Sequence, residues 1–388
     1  MMSVARKILV AITARPSYSR IRSTLQALNQ LEGIDLHCLC SGSALSDRHG
    51  RVADLIREDG FHVAAEGETL VPGNEPGRMA ETTAQTILFT TRHLETHRPD
   101  WVITIADRYE TLGTAVATSY LGIPLIHVQG GEITGNIDER VRHAVTKLSD
   151  IHLVANAQAA ARLMRMGEHP DSIYVTGCPS IDLAREACQI SLDDLALALV
   201  GQEGLDHFDL EGEFIMVLQH ADTTEHESSY RHMMMTLHVV NASGLPFVVF
   251  NPNSDAGSEA TSRAVTDFRR DHPHAPMGMI TNLEGRLFLR LLRQARCLIG
   301  NSSVGIRECA FLGTPVVNLG ERQNGRERAS NVRDSPWKPQ AMTQALTYQL
   351  QQSYAGSQIY GSGHSGELMA DIIAHLPLPR KKRFHDPA

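Results

Sequence analysis

The stretch Gly300-Asn-Ser-Ser-Val-Gly-Ile-Arg-Glu308 joins a predicted strand to a predicted helix through a turn of small residues. The apolar run Cys297–Ile299 predicts the strand, and Ile306–Phe311 has the pattern of a helix. Backbone N–H groups at the start of a helix are unpaired and carry partial positive charge, which suits a phosphate. The same pattern is typical of an ordinary serine N-cap, so this stretch alone leaves both interpretations open.

Strands and helices alternate on both sides of a weakly patterned, acidic and Gly-containing segment, Ser191–Leu210. The alternation begins with the apolar run Lys7–Ile12 and resumes at Phe214–Leu218. It predicts an α/β protein with two Rossmann-like domains and an interdomain cleft, where the carboxyl ends of both sheets meet. We expect an N-terminal domain over 1–195, a C-terminal domain over 211–362, and a helix and tail over 363–388 that return to the first domain.

Composition restricts the partners and the compartment. The chain has 388 residues, a net charge of −8 and a pI of about 6.2, so nucleic acid and anionic membranes are not expected partners. Its six cysteines include no C-x-x-C pair, which favours reduced thiols, a cytoplasmic protein and no metal site. The first apolar run is too short for a signal peptide, and the basic cluster Arg380–Arg383 predicts a solvated tail.

A G-x-G-x-x-G match at residues 361–366 is not interpreted as a dinucleotide site. No apolar strand leads into it, and no βαβ unit with an acidic residue follows. We expect a loop that caps the last helix, Glu367–Leu376.

Polar clusters of the first domain follow its predicted strands. Arg15 offers a charge-assisted fork to a phosphate, and Ser19 offers a hydroxyl near a helix start. Asp107, Glu132 and Asp138 supply carboxylates that can divide acid and base roles. Each has an ordinary alternative: a surface arginine beside a proline turn, helix caps at the two aspartates, or acids neutralised by nearby basic residues, namely Arg140, Arg142 and His143.

The second domain shows the same arrangement with a different chemistry. His220 follows its first strand and can donate to a departing phosphate oxygen, although a strand-end histidine is often a plain hydrogen-bonding residue. A loop containing Asn253 follows a later strand. Ser302 and Ser303 offer donors, and Glu308 offers an acceptor for a ribose hydroxyl. Arg322 and Arg326 suit a pyrophosphate, or simply a solvated charged loop.

Carboxylates in one domain and a phosphate cradle in the other indicate a nucleotide-sugar enzyme that works in the cleft. Composition and spacing do not give the reaction. They leave open a hydrolysing epimerase, a non-hydrolysing epimerase, and a glycosyltransferase or an inactive nucleotide-sugar binder.

In this order the motifs resemble the hydrolysing UDP-N-acetylglucosamine 2-epimerases, a group that includes bacterial sialic and legionaminic acid enzymes and the epimerase part of the animal bifunctional enzyme. The resemblance runs over nearly the whole chain, from Arg15 to Gly363. It rests on Asp107-Arg-Tyr109, Gly130-Gly-Glu132, Ile137-Asp-Glu139, Arg142-His-Ala-Val-Thr-Lys-Leu148, Gly177-Cys-Pro-Ser180, Asn253-Ser-Asp-Ala-Gly-Ser258, Gly300-Asn-Ser-Ser303 and Gly320-Glu-Arg-Gln323.

The resemblance implies a GT-B-like fold, no cofactor, and a homodimer or homotetramer that acts on a UDP-sugar. It also implies that UDP leaves C1 as a base removes the C2 proton, giving a 2-acetamidoglucal that is rehydrated to free N-acetylmannosamine. Carried over by motif, the catalytic residues are Asp107, Glu132, Asp138 and His220. The substrate-binding residues are Arg15, Ser19, Gln129, Asn253, Ser302, Ser303, Glu308 and Arg322.

Two positions depart from the pattern of that family. Ala106 replaces the usual Gly before Asp-Arg, and Gln129 stands where the animal enzyme and the non-hydrolysing epimerases carry Glu. Because Gln cannot transfer a proton as Glu does, Glu132 or Asp138 must carry more of that role. Alternatively the substrate differs, as in relatives that use UDP-2,4-diacetamido-2,4,6-trideoxy-glucose on the legionaminic acid route.

Overall fold

The computed structural model describes residues 5–46, 51–73, 76–134, 137–205, 208–221, 228–250, 258–281, 283–378 and 382–386. Two compact units divide the chain: residues 1–182 together with 361–388, and residues 183–360. In the described ranges no helix is long and apolar enough to cross a membrane.

The first unit contains a parallel sheet of seven strands in the order β3-β2-β1-β4-β5-β6-β7. Its central strands are apolar on both faces because helices cover both, and the consecutive residues Ile8, Leu9 and Val10 of the first strand are all buried. The strands are β1 Arg6–Ile12, β2 Ile34–Ser41, β3 Val63–Gly67, β4 Trp101–Ile105, β5 Leu125–Val128, β6 Ile151–Val154 and β7 Ile173–Val175. The helices of residues 1–187 are α1 Arg15–Ser19, α2 Arg22–Asn29, α3 Val52–Glu58, α4 Pro76–Thr96, α5 Tyr109–Tyr120, α6 Ile137–Leu148, α7 Ala157–Arg165 and α8 Pro179–Ala187.

The second unit contains a parallel sheet of six strands in the order β10-β9-β8-β11-β12-β13, the doubly wound arrangement of nucleotide-binding folds. Its strands are β8 Ile215–Leu218, β9 Phe247–Phe250, β10 Met277–Ile280, β11 Cys297–Gly300, β12 Val316–Leu319 and β13 Val332–Ser335. Its helices are α9 Leu192–Leu199, α10 Ser229–Asn241, α11 Ser258–Asp271, α12 Gly285–Gln294, α13 Glu308–Leu312 and α14 Pro339–Gln349.

The last helix, α15 (Ser365–His375), packs on α2 within the first unit. Its start is the G-x-G-x-x-G segment, where the Asp182 carboxylate accepts the N–H groups of Ser365 at 2.8 Å and Gly366 at 2.6 Å. A carboxylate of the protein itself therefore occupies the anion position at this helix start.

The C-terminal tail differs from the expected solvated segment. Lys382 Nζ lies 2.6 Å from a carboxylate oxygen of Glu168 and donates to Thr146 O at 3.1 Å. The Phe384 ring lies against Gly167, and the His385 N–H donates to Gly167 O at 2.9 Å. The tail is docked because Glu168 is buried and needs positive partners.

The sequence patterns predict no regular element for five segments of the structure: α1, where a turn is expected, and β10, β13, α8 and α9. Strand β13 has one buried residue among four, so it lacks an apolar run. Helix α9 falls in the segment that we expected to be a boundary, and Ser191 caps it by accepting the Asp194 N–H at 3.0 Å.

Candidate functional site

At the carboxyl edge of the first sheet, the residues that follow β4 and β5 share an unusual backbone. Ala106 has a φ of 65° and Gln129 a φ of 67°, and the described part of the chain has no other non-glycine residue with a positive φ. This conformation disfavours a side chain with a Cβ atom, and such strain concentrates at functional sites. It gives a physical reason for the Gly that the resembled family carries at position 106.

The buried His127 side chain bonds to the Ala106 turn and to helix α6. Its Nε2 lies 2.9 Å from Ala106 O, and its Nδ1 lies 3.2 Å from Thr146 Oγ1. A carbonyl oxygen only accepts, so Nε2 carries the proton and Nδ1 accepts from the Thr146 hydroxyl. Burial lowers the pKa of His127 to about 3, so the imidazole stays neutral and this tautomer is kept.

Asp107 is held by an arginine rather than by the helix that follows it. Arg142, which is 1% exposed, forms an ion pair with the Asp107 carboxylate through NH2. Its NH1 donates to Glu132 O at 2.7 Å. The N-cap of α5 is Arg108, so Asp107 does not cap that helix. Arg142 therefore fixes the Asp107 carboxylate and the backbone of Glu132 together.

Asp138 belongs to a neighbouring charged group. It is half-buried in the first turn of α6 and interacts electrostatically with Arg108. Arg108 also faces the fully buried Glu110, with Nε 3.2 Å from Oε2 and NH2 3.3 Å from Oε1. Arginines thus accompany the acidic residues at this edge: Arg142 pairs with Asp107, and Arg108 interacts with Glu110 and Asp138.

Gln129 directs its side chain into the unit. Its Nε2 lies 2.8 Å from Cys178 Sγ, which in turn lies 3.0 Å from Ser180 Oγ. Both Gln129 and Cys178 are buried. The carboxamide is neutral, whereas an ionised carboxylate beside the buried Cys178 sulfur would be costly.

Arg15 and Ser19 belong to the short helix α1 after β1. Arg15 is exposed. The Ser19 hydroxyl donates to Arg15 O at 3.1 Å and Pro16 O at 3.3 Å, at the end of the helix rather than its start.

In the second unit, the Gly300–Glu308 stretch forms the strand, turn and helix that the sequence predicts. Ser302 accepts the Val304 N–H at 3.4 Å, and Ser303–Gly305 form a 3₁₀ turn before α13. Glu308 is 8% exposed, and no donor in the described ranges reaches its Oε2. The turn therefore combines a serine cap with an unsatisfied carboxylate oxygen.

His220 follows β8 and lies beside this turn. The His220 N–H donates to Asn301 Oδ1 at 2.8 Å, and Asn301 Nδ2 donates to His220 O at 2.9 Å. Asn301 O accepts from Arg322 NH1 at 3.1 Å and from Gln323 Nε2 at 2.9 Å. One asparagine thus connects the ends of β8, β11 and β12.

The remaining arginines of the Gly320 turn have structural partners. Arg328 donates to Arg326 O at 2.8 Å and to Gln323 O at 2.9 Å, which closes the turn, and Arg326 is buried. Asn253, which we expected to contact substrate, lies outside the described residues. The described ranges contain no group of three His, Cys, Asp or Glu side chains arranged to hold a metal ion.

Eight of the predicted residues fall into two groups, one in each unit, whereas Arg15, Ser19 and Gln129 have other surroundings. The first group contains Asp107, Glu132 and Asp138 with Arg142 and Arg108. The second contains Ser302, Ser303 and Glu308 of the Gly300–Glu308 turn, and His220 and Arg322, which bond to Asn301 of that turn. Sequence reasoning missed the partner roles of Asn301 and His127, and the only signal was their place beside a strand end.

The fold and these strand-end groups define a GT-B-like α/β protein, as predicted. A family model described as UDP-N-acetylglucosamine 2-epimerase matches residues 26–374. The chain therefore belongs to the UDP-N-acetylglucosamine 2-epimerase family, which confirms the resemblance.

Two relatives and one solved structure illustrate the match. The chain is 31% identical over 374 residues to a UDP-N,N′-diacetylbacillosamine 2-epimerase (hydrolyzing) of Legionella pneumophila, covering 96% of this chain and 97% of the relative. It is 27% identical over 328 residues to a UDP-N-acetylglucosamine 2-epimerase of Neisseria meningitidis, covering 84% and 83%. The crystal structure of a UDP-GlcNAc 2-epimerase from Neisseria meningitidis bound to UDP-GlcNAc superposes with a TM-score of 0.80 at 17% identity, covering 95% and 99%, and supports the fold.

Proposed function

We propose that this protein is a hydrolysing 2-epimerase that converts UDP-N-acetylglucosamine and water to N-acetylmannosamine and UDP. The proposal is carried by three acidic residues at one sheet edge. Asp107 pairs with Arg142, Glu132 is held by the same guanidinium through its backbone carbonyl, and Asp138 interacts with Arg108. The hydrolysing outcome is supported by the Legionella pneumophila relative, whose name states it.

The chemistry explains why several acids are needed. A C2 proton of the sugar is not acidic until departure of UDP builds positive charge at C1, so a base and leaving-group stabilisation must act together. Loss of the proton and of UDP gives the 2-acetamidoglucal. Water then adds its oxygen at C1, and C2 takes a proton on the opposite face. Inversion thus requires proton carriers on both faces, a role that we assign to Asp107, Glu132 and Asp138.

The second unit supplies groups suited to the leaving UDP. Ser302 and Ser303 offer hydroxyls beside the helix start, and Arg322 offers a guanidinium. We assign to the His220 imidazole the donation of a proton to a phosphate oxygen. The Glu308 Oε2 atom lacks a donor in the described ranges, and a ribose hydroxyl would satisfy it. Arg15, Ser19 and Asn253 remain proposed substrate contacts, whereas the buried carboxamide of Gln129 favours an indirect role.

The test incubates the protein with UDP-N-acetylglucosamine in D2O and follows both products by NMR. UDP release together with deuterium at C2 of N-acetylmannosamine is the expected result. Formation of UDP-N-acetylmannosamine without UDP release would instead show a non-hydrolysing epimerase. UDP release only in the presence of a sugar acceptor, without exchange at C2, would show a glycosyltransferase.

A second substrate is favoured by a specific observation. The Legionella pneumophila relative acts, by its name, on UDP-N,N′-diacetylbacillosamine, and a Campylobacter jejuni relative with 25% identity over 332 residues carries a similar name. The same assay is therefore run with that sugar, which has an acetamido group at C4. A much higher kcat/KM for this sugar would identify it as the preferred substrate and leave the proposed reaction class unchanged.

Location and assembly belong to the proposal as well. We propose a cytoplasmic enzyme that forms a homodimer or homotetramer and takes no cofactor. Light scattering after gel filtration measures the assembly, and a monomeric mass would contradict it.

A further inference from the structure

We propose that Asn301 is a positioning residue, which holds the backbone of His220 so that its imidazole meets the departing phosphate. This inference rests on the proposed function, because it concerns how the proposed leaving-group residue is aimed. Asn301 does not itself need to touch the substrate.

The contact between the two residues is reciprocal. Asn301 Oδ1 accepts the His220 N–H at 2.8 Å, and Asn301 Nδ2 donates to His220 O at 2.9 Å. Both backbone polar groups of His220 are thereby bound by one side chain that is 2% exposed. The Asn carboxamide carries a donor and an acceptor on two separate atoms, whereas the ionised carboxylate of Asp, which has the same length, only accepts.

The preceding residue brings Asn301 to this place. Gly300 is paired with Leu218 in the register of β11 and β8, and a Cβ atom on Gly300 would lie 1.9 Å from Leu218 O. Glycine therefore permits the two strand ends to approach. Asn301, which follows Gly300 at the end of β11, then reaches the backbone of His220, two residues beyond Leu218 at the end of β8.

Asn301 is itself fixed from the opposite side. Its carbonyl oxygen accepts from Arg322 NH1 at 3.1 Å and from Gln323 Nε2 at 2.9 Å, so the turn after β12 holds it. Helix α10 adds a bond nearby, from Thr236 Oγ1 to Gln219 Oε1 at 2.7 Å. The backbone at His220 is thus held on both sides, and freeing it would let the imidazole shift. A displacement of about 1 Å from productive geometry can lower a rate on the order of 100-fold.

The experiment compares Asn301→Ala and Asn301→Asp with a matched control, Asn331→Ala. Asn331 is also buried in the second unit, where its Nδ2 donates to Thr314 O at 2.8 Å before β12 begins. We expect Asn301→Ala to lower kcat by on the order of 10- to 100-fold while UDP affinity changes little. Asn301→Asp keeps one of the two bonds and should retain more activity. Asn331→Ala should lower the melting temperature comparably and leave kcat unchanged.

A double-mutant cycle with His220→Gln tests whether Asn301 acts through His220. In the His220→Gln background, Asn301→Ala should have almost no further effect on kcat. Full additivity of the two losses would overturn the proposal, and so would a fall in UDP affinity as large as the fall in kcat.

One measurement is independent of turnover. The imidazole signals of His220, assigned by comparison with His220→Gln, are followed by NMR in the absence of substrate. A changed shift and titration in Asn301→Ala, but not in Asn331→Ala, is the expected result. An unchanged His220 signal would refute the positioning role even in an active enzyme. Failure of wild-type protein to process any UDP-sugar would refute the proposed function instead.

Discussion

Ala106, at the end of β4, has a strained backbone that a neighbouring side chain stabilises. A left-handed backbone costs an L-residue about 1–2 kcal/mol relative to the right-handed region, yet Ala106 adopts it. The His127 imidazole bonds to the Ala106 carbonyl and stabilises this turn. The strained residue places the next one, Asp107, against Arg142.

We predict that Asp107→Asn abolishes turnover and leaves UDP binding nearly intact, because the amide cannot accept a proton and does not belong to the proposed UDP group. Steady-state kinetics and UDP calorimetry measure the two effects. Asp150→Asn is the matched control, since Asp150 bonds to the Leu125 N–H at 2.9 Å at the other end of β5. A wild-type rate in Asp107→Asn would remove Asp107 from the proton chemistry.

The buried imidazole of His127 predicts an acid-dependent stability. Burial lowers its pKa from 6.5 to about 3, so the unfolded state binds more protons than the folded state between these values. Stability contributed by neutral His127 is complete above pH 6.5 and falls as the pH drops, by at most about 1.4 kcal/mol per pH unit. Urea unfolding at pH 7 and pH 5 measures how much the free energy of unfolding falls between the two values. We expect a smaller fall for His127→Gln than for wild type. Equal falls would show that the acid dependence does not come from His127.

At the scale of one element, the Gly300–Glu308 turn serves two purposes that its sequence could not separate. Ser302 caps the 3₁₀ turn by accepting the Val304 N–H, and in the described ranges no donor reaches Glu308 Oε2 in the same stretch. A purely structural cap does not explain a buried carboxylate oxygen without a partner.

Replacing Ser302 and Ser303 together with Ala should weaken UDP binding by roughly 1–3 kcal/mol, because two proposed donors are lost. Calorimetry with UDP measures the change. Ser243→Ala serves as the control, since the Ser243 hydroxyl bonds to Val240 O at 2.6 Å after α10. Unchanged UDP affinity in the double variant would show that Ser302 and Ser303 act only in capping the turn.

The contact between Lys382 of the docked tail and Glu168 should make a pH-dependent contribution to stability. Burial acts to raise the pKa of Glu168, but bonds from His152, Lys147 and Lys382 outweigh it and lower the pKa from 4.5 to about 2. Lys382→Ala should cost about 1–3 kcal/mol of stability at pH 7. The stabilisation is fully present above pH 4.5 and is lost as the pH falls toward 2, so the difference from wild type should shrink in acid. Arg383→Ala, next to Lys382 and exposed, is the control in chemical unfolding. A difference that grows in acid would contradict the role of Glu168.

For the whole molecule, the last segment completes the first core. Met369, Ile373 and Leu376 are buried with Leu25 and Leu28. Each large side chain contributes about 1.5–3 kcal/mol on burial, so the sum is comparable to the 5–15 kcal/mol that stabilises a typical domain.

A chain that ends at Tyr360 should therefore fail to form a stable first unit, whereas a chain that ends at Leu378 should fold. Soluble yield and near-UV circular dichroism distinguish the two truncations. Two cooperative unfolding transitions in the shorter chain would show that the C-terminal helix is dispensable.

Apart from β10 and β13, sequence patterns were sufficient for the strands of the two sheets, because the buried parallel strands form apolar runs that end in polar clusters. They were insufficient where burial is low, as in β13, or where partners are distant in sequence. Arg142 lies 35 positions from Asp107, so spacing could not pair them. The inward direction of Gln129 depends on Cys178, and the tail depends on Glu168, neither of which a local pattern reveals.

The bonds from Asp182 to Ser365 and Gly366 also make the chain leave and re-enter the first unit at one place. Glycine at position 361 permits this close approach, since a Cβ atom there would lie only 3.1 Å from Gly177 Cα. In connectivity, residues 183–360 are thus an insertion that begins within α8 and ends before α15. Such a cassette can be excised and replaced by a short linker, or exchanged for the corresponding segment of a relative. Hybrid proteins of this kind would assign substrate preference to the host or to the insert.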